Sequence, residues 1–205
     1  FNKVSGELTG TPNNDDVGVY NEVVISVSDG DAVDSLEAYS ITVNNVNDAP
    51  VIESKNTADT IATEEIEYKY TVEVSDVDKK VPNSTEETVI TSNNKPEWLE
   101  LVDNGDGSGI LKGAPQNKDA SASYTLEIVA IDEKGATDKE TITLLVKNVN
   151  DRPEFETTGE RVATEEVRYE YQIVVSDPDK EVAGVSIEKT VISVEESPEW
   201  LEFID

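Results

Sequence analysis

The chain repeats its own sequence with a period of about 100 residues, and this repetition limits the possible fold more than any other feature. Asn45-Val46-Asn47-Asp48-Ala49-Pro50 returns as Asn148-Val149-Asn150-Asp151-Arg152-Pro153, and Pro96-Glu97-Trp98-Leu99-Glu100 returns as Pro198-Glu199-Trp200-Leu201-Glu202. Solenoid repeats span only about 20–50 residues, whereas about 100 residues is the size of a whole domain. The sequence therefore predicts a tandem array of similar domains.

The repeat boundaries divide the chain into one complete copy between two halves. Residues 1–50 (the N-terminal half) carry the C-terminal part of a repeat, residues 51–152 (the central domain) carry a complete repeat, and residues 153–205 (the C-terminal half) begin the next. Joined end to start, the two halves restore the internal spacing, as two repeats cut in phase from a longer series would. We expect each half to be unstable alone and to be completed by more chain or by a neighbouring molecule.

The composition narrows the range of partners. The chain has 45 acidic and 16 basic residues, for a net charge of −29, which disfavours nucleic acid and anionic membranes and favours a cation. It has no Cys and no His, which excludes disulfides and Cys-ligated metals and removes the commonest general base. No apolar run approaches the ~20 residues of a membrane-spanning helix.

Apolar residues alternate with polar ones in a pattern that predicts β-strands with one buried face. One such face returns in the C-terminal half, as Tyr68, Tyr70, Val72 and Val74 followed by Tyr169, Tyr171, Ile173 and Val175. The second part of the repeat shows two further runs: Val23, Ile25 and Val27, then Tyr39, Ile41 and Val43. Turn residues cluster at 104–109 and 132–135, so we predict an all-β fold with one β-sandwich per repeat.

A Trp-Leu pair recurs at the same place in both copies. Trp98 and Trp200 can be core anchors at one end of each sandwich or aromatic platforms for a sugar ring. The apolar neighbours Leu99 and Leu101 favour the core interpretation.

Acidic and amide residues recur in four clusters per repeat, and these are the candidate metal ligands. They are the linker (Asn45, Asn47, Asp48; Asn148, Asn150, Asp151), an acid pair (Glu64, Glu65; Glu165, Glu166), an Asp-x-Asp pair (Asp76, Asp78; Asp177, Asp179) and a turn acid (Asp29; Asp132). Ca²⁺ takes six to eight oxygen ligands from carboxylates, amides and carbonyls. The recurrence of an oxygen-only set in register predicts Ca²⁺ sites. A solvated acidic surface, or an adaptation to high salt, is the alternative interpretation.

These motifs together resemble the calcium-binding motifs at the boundaries of cadherin repeats. The Asn-x-Asn-Asp-x-Pro linker, Ser75-Asp76-Val77-Asp78 and Ser28-Asp29-Gly30 carry the resemblance. Pro96-Glu97-Trp98-Leu99 followed by Gly113-Ala114-Pro115 is more similar to the dystroglycan-type cadherin-like, or putative-Ig, repeats of prokaryotic surface proteins. The resemblance implies seven-stranded Greek-key sandwiches with Ca²⁺ between successive domains.

The resemblance also implies which groups share an ion. Asp29 and the linker at 45–48 would act from one domain, and Glu64 or Glu65 with Asp76 and Asp78 from the next. The Asp-Arg-Glu motif of animal cadherins is missing, which implies fewer ions at each junction. By position, the candidates to replace it are Asp15, Asp16 and Asp119.

Three classes of function follow. The first is a structural repeat of an extracellular stalk, filament or adhesin, stiffened by Ca²⁺ and in contact with adjacent repeats or neighbouring chains. The second is a calcium-dependent carbohydrate-binding module, which would need an exposed aromatic strip. The third, an enzyme built on a carboxylate pair, is disfavoured because every acidic cluster recurs once per repeat.

Overall fold

The computed structural model describes residues 6–181 and 190–204, and these residues form β-strands joined by turns and short 3-10 helices. The N-terminal half contains β1 (Gly18–Val23), β2 (Ser26–Ser28), β3 (Val33–Ser35) and β4 (Tyr39–Val43). The central domain contains β5 (Val51–Ile52), β6 (Ile61–Thr63), β7 (Tyr68–Ser75), β8 (Thr88–Asn93), β9 (Glu100–Asp103), β10 (Ser108–Gly113), β11 (Ser123–Asp132) and β12 (Thr137–Lys147). The C-terminal half contains β13 (Glu154–Phe155) and β14 (Val175–Ser176). The 3-10 helices are Asn14–Asp16, Val77–Lys80, Asn117–Asp119 and Pro178–Glu181.

The central domain is a sandwich of two four-stranded sheets. One sheet has the order β5-β7-β10-β9 and the other β6-β12-β11-β8. The first strand of the repeat is split between the sheets, so the sandwich has eight short strands where the resemblance implied seven. Most neighbours are antiparallel, but β6 runs parallel to β12, with Thr63 opposite Lys147. That pairing brings the start of the domain beside its last strand.

The predicted alternation forms the core of this sandwich. In β7, Tyr68, Tyr70 and Val72 are buried while the residues between them are exposed. The facing sheet contributes side chains that are less than a twentieth exposed, namely Ile90, Leu126, Ile128, Ala130, Ile142, Leu144 and Val146. Burying each large aliphatic side chain contributes about 1.5–3 kcal/mol relative to exposure. The prediction of an all-β sandwich is confirmed.

The Trp-Leu pair lies at one end of the core, as the core interpretation predicted. Leu99 is 1% exposed, and Trp98 packs partly buried against the same cluster. Its ring meets Tyr124 edge-on, with centroids 6.2 Å apart and an interplanar angle of 72°. Trp98 in the central domain is therefore a packing residue and not an open platform.

The two halves carry the same patterns without the burial. In the N-terminal half, β1 pairs with β4 and β2 with β3, and the predicted inward side chains of Val27, Tyr39 and Ile41 are exposed. In the C-terminal half, alternate residues of the Tyr169–Val175 run are half-buried, yet only its last residue lies in a strand. The strand pattern is present in both halves, but within the described residues neither half has the opposite sheet that would cover it.

Among the described residues, no helix is long and apolar enough to cross a membrane.

Candidate metal centres at the domain junctions

The first linker (residues 45–50) is fastened to the central domain through Asp78. The Asn45 amide donates to Asp78 Oδ1 at 2.9 Å, and the backbone N–H of Asp48 donates to Asp78 Oδ2 at 2.8 Å. Asp78 is 1% exposed. The first linker is thus hydrogen-bonded to a buried carboxylate, as predicted for the linker and the Asp-x-Asp pair.

Asp76 and Asp78 share one site because a 3-10 helix begins between them. Asp76 is the N-cap of Val77–Lys80, and its Oδ1 accepts the Asp78 backbone N–H at 2.9 Å. Asp residues favour this position because their side chain satisfies a free backbone donor. The turn places both carboxylates at the same end of β7, and Asp76 is 5% exposed.

Asp132 completes this first junction from the turn between β11 and β12. Its Oδ1 accepts the backbone N–H groups of Lys134 and Ala136, and its Oδ2 accepts the Asn47 amide at 2.9 Å. Burial raises the pKa of the Asp132 carboxyl, but the hydrogen bonds from Asn47, Ala136 and Lys134 outweigh burial and leave the pKa below its usual value. Asp132 is therefore held as a carboxylate against the first linker.

This position corrects the predicted role of Asp29. A turn acid faces the linker that precedes its own repeat, as Asp132 does, and not the linker that follows it. Asp29 is exposed, and its carboxylate accepts the backbone N–H groups of Asp31 and Ala32 in its own turn. Those hydrogen bonds lower its pKa, with Ala32 making the largest contribution. The prediction that Asp29 joins the site at 45–48 is wrong.

The second linker (residues 148–153) repeats the hydrogen bonds of the first. The Asn148 amide donates to Asp179 Oδ1 at 2.9 Å, and the Asp151 backbone N–H donates to Asp179 Oδ2 at 2.6 Å. Asp177 Oδ1 accepts the Asp179 backbone N–H at 3.2 Å, and its Oδ2 accepts the Thr190 hydroxyl at 2.9 Å. The same motifs, with Asn and Asp 33 residues apart at the first junction and 31 at the second, have produced matching hydrogen bonds.

Glu64 lies at the second junction, and its predicted place with Asp76 and Asp78 is wrong. Its Oε2 accepts the Val149 backbone N–H at 3.0 Å, and the residue is 1% exposed. The cause is the parallel pairing of β6 with β12, because Glu64 follows β6 and its N–H donates to the Lys147 carbonyl at 3.0 Å. Glu64, although it stands near the start of the repeat, therefore lies at the end of the domain where β12 leads into the second linker.

The structure separates Glu64 from its neighbour. Glu65 is exposed, has a positive φ of 59° and donates its backbone N–H to the Pro115 carbonyl. The matching pair in the C-terminal half, Glu165 and Glu166, is exposed. Of the four predicted acid-pair residues, only Glu64 has a hydrogen bond to a linker in the described part of the chain.

Asn150, in the second linker, donates its side-chain amide to the Asp151 carbonyl at 3.0 Å.

An asparagine that the sequence analysis missed also lies at each junction. Asn14 donates its amide to Asp48 Oδ2 at 2.7 Å, and its counterpart Asn117 sits on a 3-10 helix that lies against Pro178–Glu181. The acids proposed for this role serve their own helices: Asp16 accepts the Asn13 N–H, and Asp119 accepts the Gln116 N–H and the Tyr124 hydroxyl. The available signal was the return of Asn14 as Asn117 in a loop that also repeats Gly10 as Gly113 and Pro12 as Pro115.

The second junction contains buried oxygen atoms that have no hydrogen-bond partner. They are Glu64 Oε1, Asn117 Oδ1 and Asn148 Oδ1. Burial raises the pKa of the Glu64 carboxyl, and the charges of Asp151 and Asp179 raise it further against the opposing Val149 hydrogen bond. Arg152 in the same linker is exposed and lies 4.0 Å from Glu154. Buried oxygens without donors, beside uncompensated negative charge, fit an oxygen-liganded cation.

The acidic side chains at the junctions do not form a closed ligand shell. In the ranges that the structure describes, no three of them stand close enough together to hold a metal. The fit to a cation therefore rests on the type of the donor groups and on the unpaired oxygens.

Comparison with known proteins identifies the class of the central domain. Residues 49–147 match the family model described as Putative Ig domain. The central domain is therefore an Ig-like β-sandwich. No curated protein sequence matches the chain.

A solved structure with a TM-score above 0.5 supports this fold, and two others are similar at lower scores. The protocadherin gammaB7 cis-dimer structure is 19% identical with a TM-score of 0.51, over 82% of this chain and 42% of that chain. The human desmocollin-1 ectodomain is 18% identical with a TM-score of 0.46, over 70% of this chain and 30% of that one. An endo-fucoidan hydrolase of glycoside hydrolase family 107 is 22% identical with a TM-score of 0.39, over 68% of this chain. The chain spans only 20% of the length of that hydrolase.

Proposed function

We propose that this chain is a structural repeat of an extracellular stalk, filament or adhesin, stiffened by Ca²⁺ at its domain junctions. The observation that carries the proposal is the set of unpaired buried oxygens on Glu64, Asn117 and Asn148 beside the carboxylate of Asp179. Buried carboxylates that lie close together repel one another, and a divalent cation removes that penalty.

Each proposed site draws its ligands from two successive domains and the linker between them. The first would use Asn14, Asn45, Asn47, Asp48, Asp76, Asp78 and Asp132. The second would use Glu64, Asn117, Asn148, Asn150, Asp151, Asp177 and Asp179. Asp29, Glu65, Glu165 and Glu166 are left out because they are exposed and, in the described residues, none of them has a hydrogen bond to either linker. Bound Ca²⁺ would supply positive charge that these groups lack.

The proposed role is mechanical. Without the cation, like charges on both sides of a linker favour separation of the domains, and the linker samples many orientations. With the cation, residues from both domains share ligation, so the array becomes a stiffer rod. Extracellular modules commonly bind Ca²⁺ with Kd of about 10⁻⁴–10⁻³ M. Sites of that affinity would fill outside a cell, and we propose that the protein acts there.

The alternative of a carbohydrate-binding module has less support. It requires an exposed strip of aromatic rings, but in the central domain Tyr68 and Tyr70 are buried and Trp98 packs against the core. The acidic groups lie at repeated junctions and not in one cleft, so we also propose that the chain is not an enzyme.

Thermal unfolding of the 205-residue chain tests the calcium proposal. We expect Ca²⁺ to raise the midpoint, by an amount equivalent to about 2.7 kcal/mol when its concentration is 100 times Kd, and EGTA to reverse the rise. Asp76→Asn and Asp179→Asn should each reduce the rise. The matched control Asp106→Asn, in an exposed turn, should leave it unchanged. An equal rise with NaCl, or none with Ca²⁺, would favour a solvated acidic surface instead.

A further inference from the structure

The turn between β9 and β10 contains a pair of residues that occurs once in the sequence. Asn104 is the only asparagine of the chain that is followed by glycine. Asn104, Gly105 and Asp106 are exposed at the tip of this hairpin. The Asn104 side chain belongs neither to the core nor to a junction, since its amide donates to the Ser108 hydroxyl of the same turn at 2.9 Å.

An asparagine followed by glycine can react with its own backbone. The side-chain carbon of the asparagine and the next backbone nitrogen are held close together by the chain itself. A side chain on the next residue would hinder their reaction, and glycine has none. Gly105 has a φ of 75°, and within the described residues an added Cβ there would meet nothing within 4 Å. The surroundings of Gly105 therefore leave room for a ring.

We propose that Asn104 is a site of spontaneous deamidation in the folded protein. The Gly105 backbone nitrogen attacks Asn104 Cγ, the new N–Cγ bond closes a succinimide ring, and the Cγ–Nδ2 bond breaks. The Gly105 nitrogen loses its hydrogen, Nδ2 gains one, and ammonia leaves. Water then opens the ring, giving aspartate when it adds at Cγ and isoaspartate when it adds at the backbone carbonyl carbon. Water is the only co-reactant, and nothing is oxidised or reduced.

Two neighbouring side chains lie at the positions where this reaction moves protons. Asp103 Oδ1 accepts the Gly105 backbone N–H at 3.0 Å, and this is the hydrogen that the attacking nitrogen loses. Ser108 Oγ lies 2.9 Å from Asn104 Nδ2, the leaving nitrogen, and its hydroxyl donates to Asp106 Oδ1 at 2.6 Å. A base beside the nucleophile and a hydroxyl beside the leaving group are the positions that acid–base catalysis uses.

The structure distinguishes this pair from the two Asp-Gly pairs of the chain. In Asp106-Gly107 the glycine is buried, and an added Cβ would lie 2.9 Å from the Val74 carbonyl oxygen. Asp29-Gly30 is open, but its leaving group would be a carboxylate oxygen. Hydrogen bonds in its turn, of which that from the Ala32 N–H is the strongest, lower the pKa of Asp29 and keep it ionised. Asn104-Gly105 combines a neutral amide with an open glycine.

The reaction changes the charge and the hydrogen bonds of the turn. A carboxylate at position 104 cannot donate to Ser108 Oγ as the amide does. It also stands in the same turn as the carboxylates of Asp103 and Asp106, so like charges accumulate there. The isoaspartate product lengthens the backbone of the hairpin by one carbon atom. Each molecule would thus become more negative at this turn as it ages.

The turn lies at the end of the central domain that carries the first junction. The Gly107 carbonyl accepts the Val74 N–H at 2.8 Å, and β7 leads from Val74 into Asp76. An added Cβ at Gly107 would lie 3.9 Å from Lys79 Nζ, so the Lys79 ammonium also lies close to the turn. The new charge therefore arises on the same side of the domain as Asp76. No step uses a metal, so the inference does not depend on the calcium proposal.

Mass spectrometry of the 205-residue chain tests the proposal after several weeks at neutral pH. Trypsin releases residues 81–112 as one peptide because Lys95 precedes proline, and Asn83 and Asn94 in this peptide are internal controls. Both are exposed with positive φ, but neither precedes glycine. We expect the mass gain of an amide converted to an acid at position 104 alone, as aspartate and isoaspartate, and its loss in Asn104→Gln. A sample digested without incubation corrects for conversion during digestion.

Urea below the unfolding transition shows whether the folded turn is the reactive form. We expect the rate at Asn104 to stay nearly constant, because the turn remains intact until the transition begins. A rate that rises steeply with urea from the lowest concentrations, in proportion to the unfolded fraction, would overturn the inference. An absent mass gain at Asn104, or equal gains at Asn83 and Asn94, would also overturn it.

Discussion

The central domain and the C-terminal half begin with the same pattern of residues but reach different structures. Tyr68 lies in an eight-residue strand and is 5% exposed, whereas its counterpart Tyr169 lies outside any strand. Trp98 is covered, whereas Trp200 is open. The difference lies in the partner strands, since β7 is hydrogen-bonded to β10 and the described residues of the C-terminal half include no counterpart of β10. An alternating pattern specifies which side chains face inward, and long strands form only where a neighbour receives their hydrogen bonds.

The largest effect should come from a cavity in the core of the central domain. The same substitution in the uncovered N-terminal half should have little effect. Leu111 is fully buried in the central domain, whereas its counterpart Leu8 is 56% exposed. We expect Leu111→Ala to lower the free energy of unfolding by about 2–5 kcal/mol, because it leaves a cavity. Leu8→Ala should change it by less than about 0.5 kcal/mol. Chemical denaturation followed by Trp fluorescence measures both, and equal losses would contradict the difference in packing.

An intermediate effect should follow from the buried hydroxyl of Tyr70. That hydroxyl lies 2.8 Å from Glu140 Oε2 and 2.8 Å from the Ser54 carbonyl oxygen, and Glu140 is 7% exposed. Tyr70→Phe removes the donor and leaves a buried acceptor unpaired, which should cost about 1–3 kcal/mol. Tyr171→Phe, at the half-buried counterpart, should have little effect in the same denaturation experiment. A neutral Tyr70→Phe would mean that water replaces the hydroxyl.

The smallest effect concerns Glu64 in the absence of Ca²⁺. Burial and the nearby carboxylates raise the pKa of Glu64 above its usual value of 4.5 in the folded state. As pH rises above 4.5, the unfolded chain ionises first, so Glu64 makes the free energy of unfolding fall until the pH passes its folded pKa. With EGTA present, Glu64→Gln should remove this fall and raise the free energy of unfolding near neutral pH.

Two controls define the Glu64 experiment. Glu73→Gln, on the exposed side of β7, should keep the native pH dependence. With Ca²⁺ present the sign should reverse, since Glu64→Gln removes a proposed ligand and lowers the gain from the ion. A pH profile that Glu64→Gln leaves unchanged would show that Glu64 is not the group responsible.

The sequence predicted those features that depend on local pattern. The alternation in β7, the turns and the packing of Trp98 all follow from which residues stand next to one another. The linker and the Asp-x-Asp pair were also placed together correctly, because the resemblance to cadherin repeats groups them at one junction. These predictions needed only the local pattern of residues and that resemblance.

Features that depend on strand pairing could not be predicted in the same way. Glu64 was assigned to the wrong junction because nothing local reveals that β6 runs parallel to β12. Asp29 was assigned to the wrong linker because the turn acid faces back along the repeat, which only the contact between Asp132 and Asn47 shows. Asn117 was not predicted because its position at the junction depends on the contact between its 3-10 helix and Pro178–Glu181.

The parallel pairing of β6 with β12 also determines how the central domain would carry a load. Both strands point the same way, so a pull that enters through the first linker and leaves through the second slides one strand along the other. The bonds between them, from Leu145 to the Thr60 carbonyl and from Glu64 to the Lys147 carbonyl, would then be loaded together and not opened one after another. Tension on the array would thus meet resistance by shear.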